Sequence, residues 1–265
     1  MKKKRRLKKP IRIFFKTIIV LCLLTALGWS GYEIYKWGVE RYQAKEVEKV
    51  VNDIIYENVD ITTKEEENKP FEFTYEKWNK LHEMNSDFVG WLAFDDEFVS
   101  EPLVQASDND FYLRRNFNKQ DDGEGTVFFD AGNAIGADQN CTLYGHNVFY
   151  NQNAKLSPLS KLVDQEEFDK HNKFKIYYED YVAEYEITNI YYIDTATNDF
   201  NYTTNAFTEE MVESYIKYAD SLNLIKPNTK LTKNSRFLTI QTCKDGWSSV
   251  KIIYNCKELS RETYN

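Results

Sequence analysis

The feature that most limits how this chain folds is its N-terminus, where dense positive charge precedes an uncharged apolar segment. Residues 2–16 contain nine lysines and arginines and no acid, and residues 17–32 contain no charged side chain. If Lys16 extends its ammonium toward water, the apolar helix gains about one turn and reaches the roughly 20 residues that cross a bilayer. We therefore predict a basic cytoplasmic tail over residues 1–12 and a transmembrane signal-anchor over residues 13–35.

The same charge asymmetry predicts the orientation of the chain. The cationic flank of an apolar helix stays in the cytoplasm, so the remainder is expected outside the cell. A cleaved signal peptide is the alternative, because the apolar segment is short and residues 25–29 include small side chains, although no clear A-x-A cleavage site follows. We expect a single-pass plasma-membrane protein with a cytoplasmic N-terminus and an extracellular domain.

The exported part is strongly acidic. Without the nine N-terminal cations, 25 lysines and arginines remain against 42 aspartates and glutamates, a net charge of about −17. Such a balance disfavours binding to phosphate backbones, so no nucleic-acid partner is expected. The membrane is expected as a partner through the N-terminal helix.

The rest of the chain divides into a connecting segment and one globular domain. Helical spacing, then a polar acidic run, predicts a stalk helix and linker over residues 36–70. Beyond it, helices are predicted over residues 75–84, near 158–171 and over 208–224, with Thr208 as an N-terminal cap. Short apolar or alternating runs predict about eight strands, at residues 89–94, 103–105, 126–130, 142–144, 173–178, 181–193, 237–241 and 250–255. This pattern is typical of a mainly β fold, a closed or nearly closed barrel with inserted helices.

Four cysteines are too few and too unevenly spaced for a disulfide framework. Cys22 falls in the membrane segment. Cys141 and Cys256 are expected as small buried strand residues, with a disulfide between them as the alternative. Cys243 ends an apolar run and precedes a polar, turn-like stretch, a position that fits a buried structural cysteine as well as it fits a nucleophile.

Only three histidines could assist a thiol. His82 and His171 fall in a helix and at a helix end, where solvated or capping roles are expected. His146 follows a short strand, which places an imidazole at the rim of a sheet, in a structural or a catalytic role. The strand that returns beside Cys243 carries Lys251, either as a solvated strand lysine or as a donor to an oxyanion.

Two motifs together resemble those of class B sortases, a family of cysteine transpeptidases. Thr142-Leu143-Tyr144-Gly145-His146-Asn147 resembles the family's histidine motif, and Leu238-Thr239-Ile240-Gln241-Thr242-Cys243 resembles its strand ending in Thr-Cys. Further similar segments precede them in family order: Gly90-Trp91-Leu92, Pro102-Leu103-Val104-Gln105 with Asp108-Asn109, Tyr112-Leu113, and Gly125-Thr126-Val127-Phe128-Phe129-Asp130. The helix predicted at 208–224 resembles the class B insertion, and the likeness covers roughly residues 78–259.

The resemblance implies an eight-stranded sortase-type β-barrel with peripheral helices and a catalytic domain over residues 71–265. It implies that Cys243 is the nucleophile and that His146 is the general acid and base of a ping-pong acyl transfer. The family's arginine is replaced here by Lys251, which keeps the charge but lacks the planar multi-donor fork. We assign Lys251 as the third catalytic residue, with Arg114 or Arg115 as alternative cations.

The resemblance also implies the substrates and the groove that binds them. The expected partners are surface proteins bearing a C-terminal sorting motif, cleaved after threonine, and a peptidoglycan-precursor amine that accepts the acyl group. The predicted substrate-binding residues are Asn109, Leu113, Tyr202, Thr203, Gln241, Thr242 and Lys244. Gln241 and Lys244 replace a serine and an often acidic residue, so substrate preference is expected to differ.

No cofactor is implied by the resemblance, and no metal site is expected. The acids Asp108, Asp110, Asp121 and Asp122 are expected as solvated loop residues rather than calcium ligands. Two other functions stay open for the sequence. One is an anchored cell-wall cysteine peptidase, which would release an acid, and the other is a catalytically weak sortase-like binding module.

Overall fold

The computed structural model describes residues 8–56, 71–205, 207–245 and 248–264, and it divides the chain into two compact units, residues 1–46 and 47–265. The first seven residues of the predicted tail, the predicted linker and the middle of the predicted turn after Cys243 lie outside the described residues.

The first unit is helical. A single helix, α1 (Lys9–Tyr56), replaces the separate anchor and stalk helices expected from the sequence. It contains an 18-residue window of mean hydropathy 2.1, none of it buried, and it is the one described helix long and apolar enough to cross a membrane. Two of its hydroxyl groups are satisfied within the helix, because Thr17 and Thr25 donate to the carbonyls of Ile13 and Leu21, each at 3.1 Å.

The second unit is built on eight strands that close into a barrel in the order β1-β2-β3-β4-β7-β8-β6-β5. The strands are β1 (Phe88–Phe94), β2 (Ser100–Val104), β3 (Val127–Phe129), β4 (Asn140–Tyr144), β5 (Lys173–Tyr177), β6 (Tyr181–Asp194), β7 (Phe237–Cys243) and β8 (Val250–Thr263). The β2/β3 and β4/β7 pairs are parallel and the others antiparallel. The predicted mainly β, eight-stranded barrel is confirmed.

Apolar side chains from every strand fill the barrel interior, among them Leu92, Leu143 and Ile240, which have no exposed surface. Closure requires close approach at Gly90, where a Cβ atom would lie 2.8 Å from the Tyr177 carbonyl oxygen. The last strand runs eight residues past its predicted end at residue 255, because β6 is long enough to pair with it as far as Thr263.

Three further α-helices and a seven-residue 3₁₀ helix flank the strands. Helix α2 (Tyr75–Met84) has its predicted bounds. The helical region predicted near 158–171 is a 3₁₀ helix (Ser157–Val163) followed by α3 (Gln165–His171). Helix α4 (Glu209–Leu222) begins as predicted, since the Thr208 side chain accepts a hydrogen bond from the Met211 amide at 3.3 Å.

The C-terminal end of α1 belongs to the second unit. Val47, Val51 and Ile55, spaced four residues apart on one helix face, are buried in a cluster with Trp78 and Phe88. The barrel unit therefore begins with this helical segment, upstream of the domain boundary predicted at residue 71.

Candidate active site

The ends of two neighbouring strands bring His146 and Cys243 to one edge of the barrel. In the parallel β4/β7 pair, Tyr144 lies opposite Gln241. His146 comes two residues after Tyr144, and Cys243 comes two residues after Gln241. The Gly145 amide continues the ladder by donating to the Gln241 carbonyl at 3.3 Å. Because parallel strands end at the same sheet edge, the imidazole and the thiol share that edge.

Lys251 lies directly opposite Cys243 in the antiparallel β7/β8 pair. Its Nζ atom donates to Cys243 Sγ at 3.1 Å and to the Ser248 carbonyl at 3.0 Å. Cys243 is a free, half-buried thiol. The strand pairing thus places a positive charge beside the sulfur. When the sulfur attacks a carbonyl carbon, the carbonyl oxygen becomes negative, and a nearby cation can stabilise it.

The imidazole of His146 is oriented by a backbone contact. Its Nε2 atom lies 2.8 Å from the Leu113 carbonyl oxygen. Since a carbonyl can only accept, Nε2 carries the proton and Nδ1 holds the lone pair in the neutral ring. Burial lowers the pKa of His146, and the charges of Arg114 and Lys251 lower it further, against the opposing effect of the Leu113 bond. The histidine is therefore held in its neutral form, in which a ring nitrogen can accept a proton.

Asn147 joins the histidine loop to the cysteine strand. Its Nδ2 group donates to the carbonyls of Cys243 and Lys244, each at 3.1 Å, and the residue is 8 % exposed. Sequence reasoning gave Asn147 no role, although an amide side chain immediately after a strand-end histidine was the available signal. The contact fixes the spacing of the two chain segments beyond the last strand pair.

Two of the predicted groove residues, Tyr202 and Gln241, contact each other next to the buried Thr242. The Tyr202 hydroxyl donates to Gln241 Oε1 at 2.7 Å. Burial, and secondarily the neighbouring Cys243, raises the pKa of Tyr202 to about 12, so the phenol keeps the proton that it donates. Thr242 is 1 % exposed, so its side chain lies within the fold and not on the groove surface.

The other predicted groove residues lie around these. Asn109 accepts from the Ala131 amide at 2.7 Å and donates to Asp130 at 2.9 Å, and the same carboxylate accepts from Tyr144 at 2.7 Å. The Thr203 hydroxyl donates to Asn201 at 3.2 Å. The exposed Lys244 places its ammonium 4.6 Å from the centre of the Tyr192 ring. The Leu113 carbonyl is the acceptor from His146.

Two interpretations of charged and polar residues are corrected. Asp108, Asp110 and Asp121 are exposed, as expected for solvated loop residues. Asp122 was expected to be solvated as well, but it is only 5 % exposed, because its carboxylate folds inward and accepts a hydrogen bond from the Glu124 amide at 3.0 Å. Among the described residues, no group of three or more histidine, cysteine or acidic side chains could hold a metal ion.

The second correction concerns the other histidines. Both were expected to be solvated or capping, yet both are half-buried in ring stacks. His82 lies 4.5 Å from the ring of Trp78, and His171 lies 4.2 Å from the ring of Phe98. Their aromatic partners hold them in structural roles.

The remaining cysteines are chemically separated from the site. Cys141 and Cys256 are free and buried. Both pair with Leu238, so strand β7 lies between them, which separates them by about 10 Å, beyond the reach of a disulfide. Burial raises the pKa of Cys141 to about 12 and that of Cys256 strongly. The expectation of buried strand residues is confirmed, and the disulfide alternative is excluded in this fold.

Known proteins with similar sequences identify the family of the chain. A family model described as "Sortase domain" matches residues 103–257, more than half of the chain. The chain belongs to the sortase family. The matched region contains His146, Cys243 and Lys251, and sortases are transpeptidases of cell-wall anchoring.

The individual relatives to which the chain is similar are class B sortases. Sortase B of Listeria monocytogenes is 28% identical over 237 residues, which cover 88% of this chain and 91% of that protein. The X-ray structure of Clostridium perfringens sortase B is 28% identical, with a TM-score of 0.63, and the match covers 69% of this chain and all of that one. A Bacillus anthracis crystal structure described as similar to sortase B is 25% identical, with a TM-score of 0.66 and coverage of 84% and 98%.

Proposed function

We propose that this sortase is a membrane-anchored transpeptidase. In this proposal it cleaves the C-terminal sorting motif of surface proteins after threonine and transfers the acyl group to a peptidoglycan-precursor amine. The observation that carries the proposal is the contact between Lys251 Nζ and Cys243 Sγ, at the strand edge shared with His146. A thiol, a base and a cation converge there, as acyl transfer requires.

In the first half of the reaction, Cys243 Sγ attacks the threonine carbonyl carbon. Its proton goes to His146, and a tetrahedral oxyanion forms. When the oxyanion collapses, the carbon–nitrogen bond breaks, and His146 returns the proton to the leaving amine. The product of this half-reaction is a thioester on Cys243.

In the second half, the acceptor amine attacks the thioester carbonyl. His146 takes one proton from that amine, the carbon–sulfur bond breaks, and the departing sulfur takes the proton back as the thiol. The new bond is an amide, so the energy of the cleaved peptide bond is conserved without a cofactor. Water in place of the amine would release an acid instead.

Lys251 can stabilise the oxyanion despite replacing an arginine. An ammonium has three N–H donors, and the contacts to Cys243 Sγ and the Ser248 carbonyl use two of them. The third is available to an oxygen bound near the sulfur. A single donor gives less geometric control than a guanidinium fork, which predicts an active enzyme that gains from an arginine at this position.

The anchor is supported by the N-terminal charge pattern and by the apolar part of α1. We propose a cytoplasmic tail over residues 1–12 and a span within residues 13–35, with the barrel outside the cell. Attaching a maleimide to single cysteines introduced at residue 5 and at exposed Lys170 tests this. Labelling by a membrane-impermeant reagent is expected at the second position only, and the reverse pattern would contradict the orientation.

The direct test of activity uses the full-length chain in detergent, a library of sorting-motif peptides and an amine acceptor. Cleavage and amide product are expected, and both should disappear in Cys243→Ala and His146→Ala but persist in Cys22→Ala. A peptidase would give only acid when the amine is present. Absence of cleavage across the library would support the binding-module alternative.

A further inference from the structure

The loop that carries His146 is closed at its base. Asn147 and Lys155 form an isolated antiparallel bridge, and the Leu156 amide donates to the His146 carbonyl at 3.2 Å. Leu156 also packs so tightly on the start of the loop that a Cβ atom at Gly145 would lie 2.7 Å from its Cδ1 atom. We call residues 145–156 the histidine loop; its first limb begins at Gly145 and its second limb ends at Leu156. Because the two limbs are bonded to each other, a displacement of the second limb would also displace the first.

The second limb is fixed by a buried charge cluster. Lys155 is 6 % exposed, and its Nζ atom lies 3.0 Å from Glu48 Oε1 and 3.3 Å from Glu101 Oε2. Its backbone amide also donates to Glu101 Oε1 at 3.0 Å. Glu101 belongs to β2, and Glu48 to the part of α1 within the barrel unit. One side chain thus ties the histidine loop to two other elements.

The backbone conformation of Lys155 indicates that the surrounding residues hold it in place. Its φ of 54° lies in the left-handed region, which residues other than glycine rarely adopt and which persists only where the surroundings fix it. The paired glutamates supply that constraint, since Glu101 binds both the amide and the ammonium of the same residue. Burial by itself lowers the pKa of Lys155, but the negative charges of Glu101 and then Glu48 outweigh it and raise that pKa above its usual value.

The histidine loop and the helix also line a common cavity. A cavity of about 300 Å³ is lined by the helix residues Val51 and Asn52 and by the loop residues Asn151 and Asn153. Beside this space, the ion pair of Lys155 with Glu48 joins the loop to the helix. Asn147, at the other limb, holds the Cys243 and Lys244 carbonyls.

We infer that Lys155 is a positioning residue for His146, and that the helical segment around Glu48 is part of the catalytic unit through this lysine. The kinetic consequence rests on the proposed transpeptidase function. The structural consequence, a fixed environment for His146, does not rest on it. The two can therefore be measured separately.

The kinetic arm uses the full-length chain with Lys155→Met, Lys155→Arg and Glu48→Gln. Lys155→Met is expected to lower kcat for peptide cleavage by about 10- to 100-fold, since misplacing a catalytic group by an ångström has effects of that size, while KM changes less than about twofold. Lys155→Arg keeps a cation between the glutamates and should restore most of kcat. Glu48→Gln removes one partner and should give a smaller loss in the same direction.

The structural arm follows the NMR titration of the three histidine rings. Loosening the histidine loop hydrates His146, so its pKa is expected to rise toward the usual value in Lys155→Met and to return in Lys155→Arg. The matched control is Lys170→Met, because Lys170 also pairs with two glutamates, Glu166 and Glu167, but on the surface. It should change neither kcat nor the His146 titration.

The outcomes separate the two proposals. A wild-type chain that cleaves no peptide contradicts the proposed function, and the His146 titration then decides the positioning role alone. A folded Lys155→Met chain with wild-type kcat and an unshifted His146 overturns the inference. If Lys155→Met does not fold, Glu48→Gln decides, because it weakens the same ion pair from the helix side. An unshifted pKa of His146 in Glu48→Gln would then overturn the inference.

Discussion

Strands β4, β7 and β8 carry cysteines in two settings, in the body of the sheet and at its edge. Within the sheet, Cys141 and Cys256 are buried, and burial raises the pKa of both thiols. At the edge, Cys243 is half-buried and accepts a hydrogen bond from Lys251. The same residue type on neighbouring strands is therefore inert where it is buried and poised to react where it lies half-buried at the sheet edge beside a cation.

The largest effect expected from this comparison is on turnover. Cys243→Ala should lower peptide cleavage by at least about 10⁴-fold, as loss of a nucleophile does elsewhere, with the melting temperature nearly unchanged. Cys256→Ala should do the opposite, keeping activity while losing about 1 kcal/mol of stability from the core. Cleavage assays and thermal melts of both variants measure the contrast. Equal activity of the two variants would remove the distinction between edge and interior.

The next effect concerns the cation at the edge. Lys251→Met should lower kcat/KM by about 10²- to 10³-fold, because an oxyanion donor is lost. Lys251→Arg should keep activity or increase it, since the guanidinium adds donors. Steady-state kinetics with one peptide test both variants. If Lys251→Met retained full activity, the oxyanion would have to be stabilised by another group, such as Arg114.

Thiol modification sharpens the comparison without any substrate. Iodoacetamide is expected to modify Cys243 in the folded protein, and Cys141 and Cys256 only as fast as the barrel opens. Peptide mapping by mass spectrometry after timed quenching gives the three rates. Modification of Cys256 at the rate of Cys243 would contradict the burial that separates the two settings.

A smaller effect is expected on pH dependence. The pKa of His146 is lowered, first by burial, so its neutral form should persist below the usual 6.5 and the acid limb of kcat/KM should lie below that pH. Lys251→Met removes a neighbouring charge and should move the limb upward, whereas Lys251→Arg should not. The same depression means that His146 favours the folded state above pH 6.5, and this contribution is lost as the pH falls below it. An acid limb above 6.5 in the wild type would contradict the neutral histidine.

The sequence predicted most of the barrel because its strands are short alternating or apolar runs that are separated by polar segments. It also predicted the edge at which His146 and Cys243 lie, since both follow strand ends in motifs of known order. It did not predict the contact between Lys155 and Glu48, because these residues are 107 positions apart and meet only when the last turns of α1, from Val47 onward, pack on the barrel. The inward turn of Asp122 was missed for a similar reason, as nothing in a run of loop acids distinguishes the one that becomes buried.

The most direct test of the central claim is mass spectrometry of the full-length chain mixed with a sorting-motif peptide and no amine. The account predicts an adduct that equals the peptide's acyl fragment ending in threonine, located on Cys243 and released by an added amine as an amide. It predicts no adduct in Cys243→Ala. An adduct on another residue, or peptide cleavage with no dependence on Cys243, would contradict the assignment of this thiol as the nucleophile.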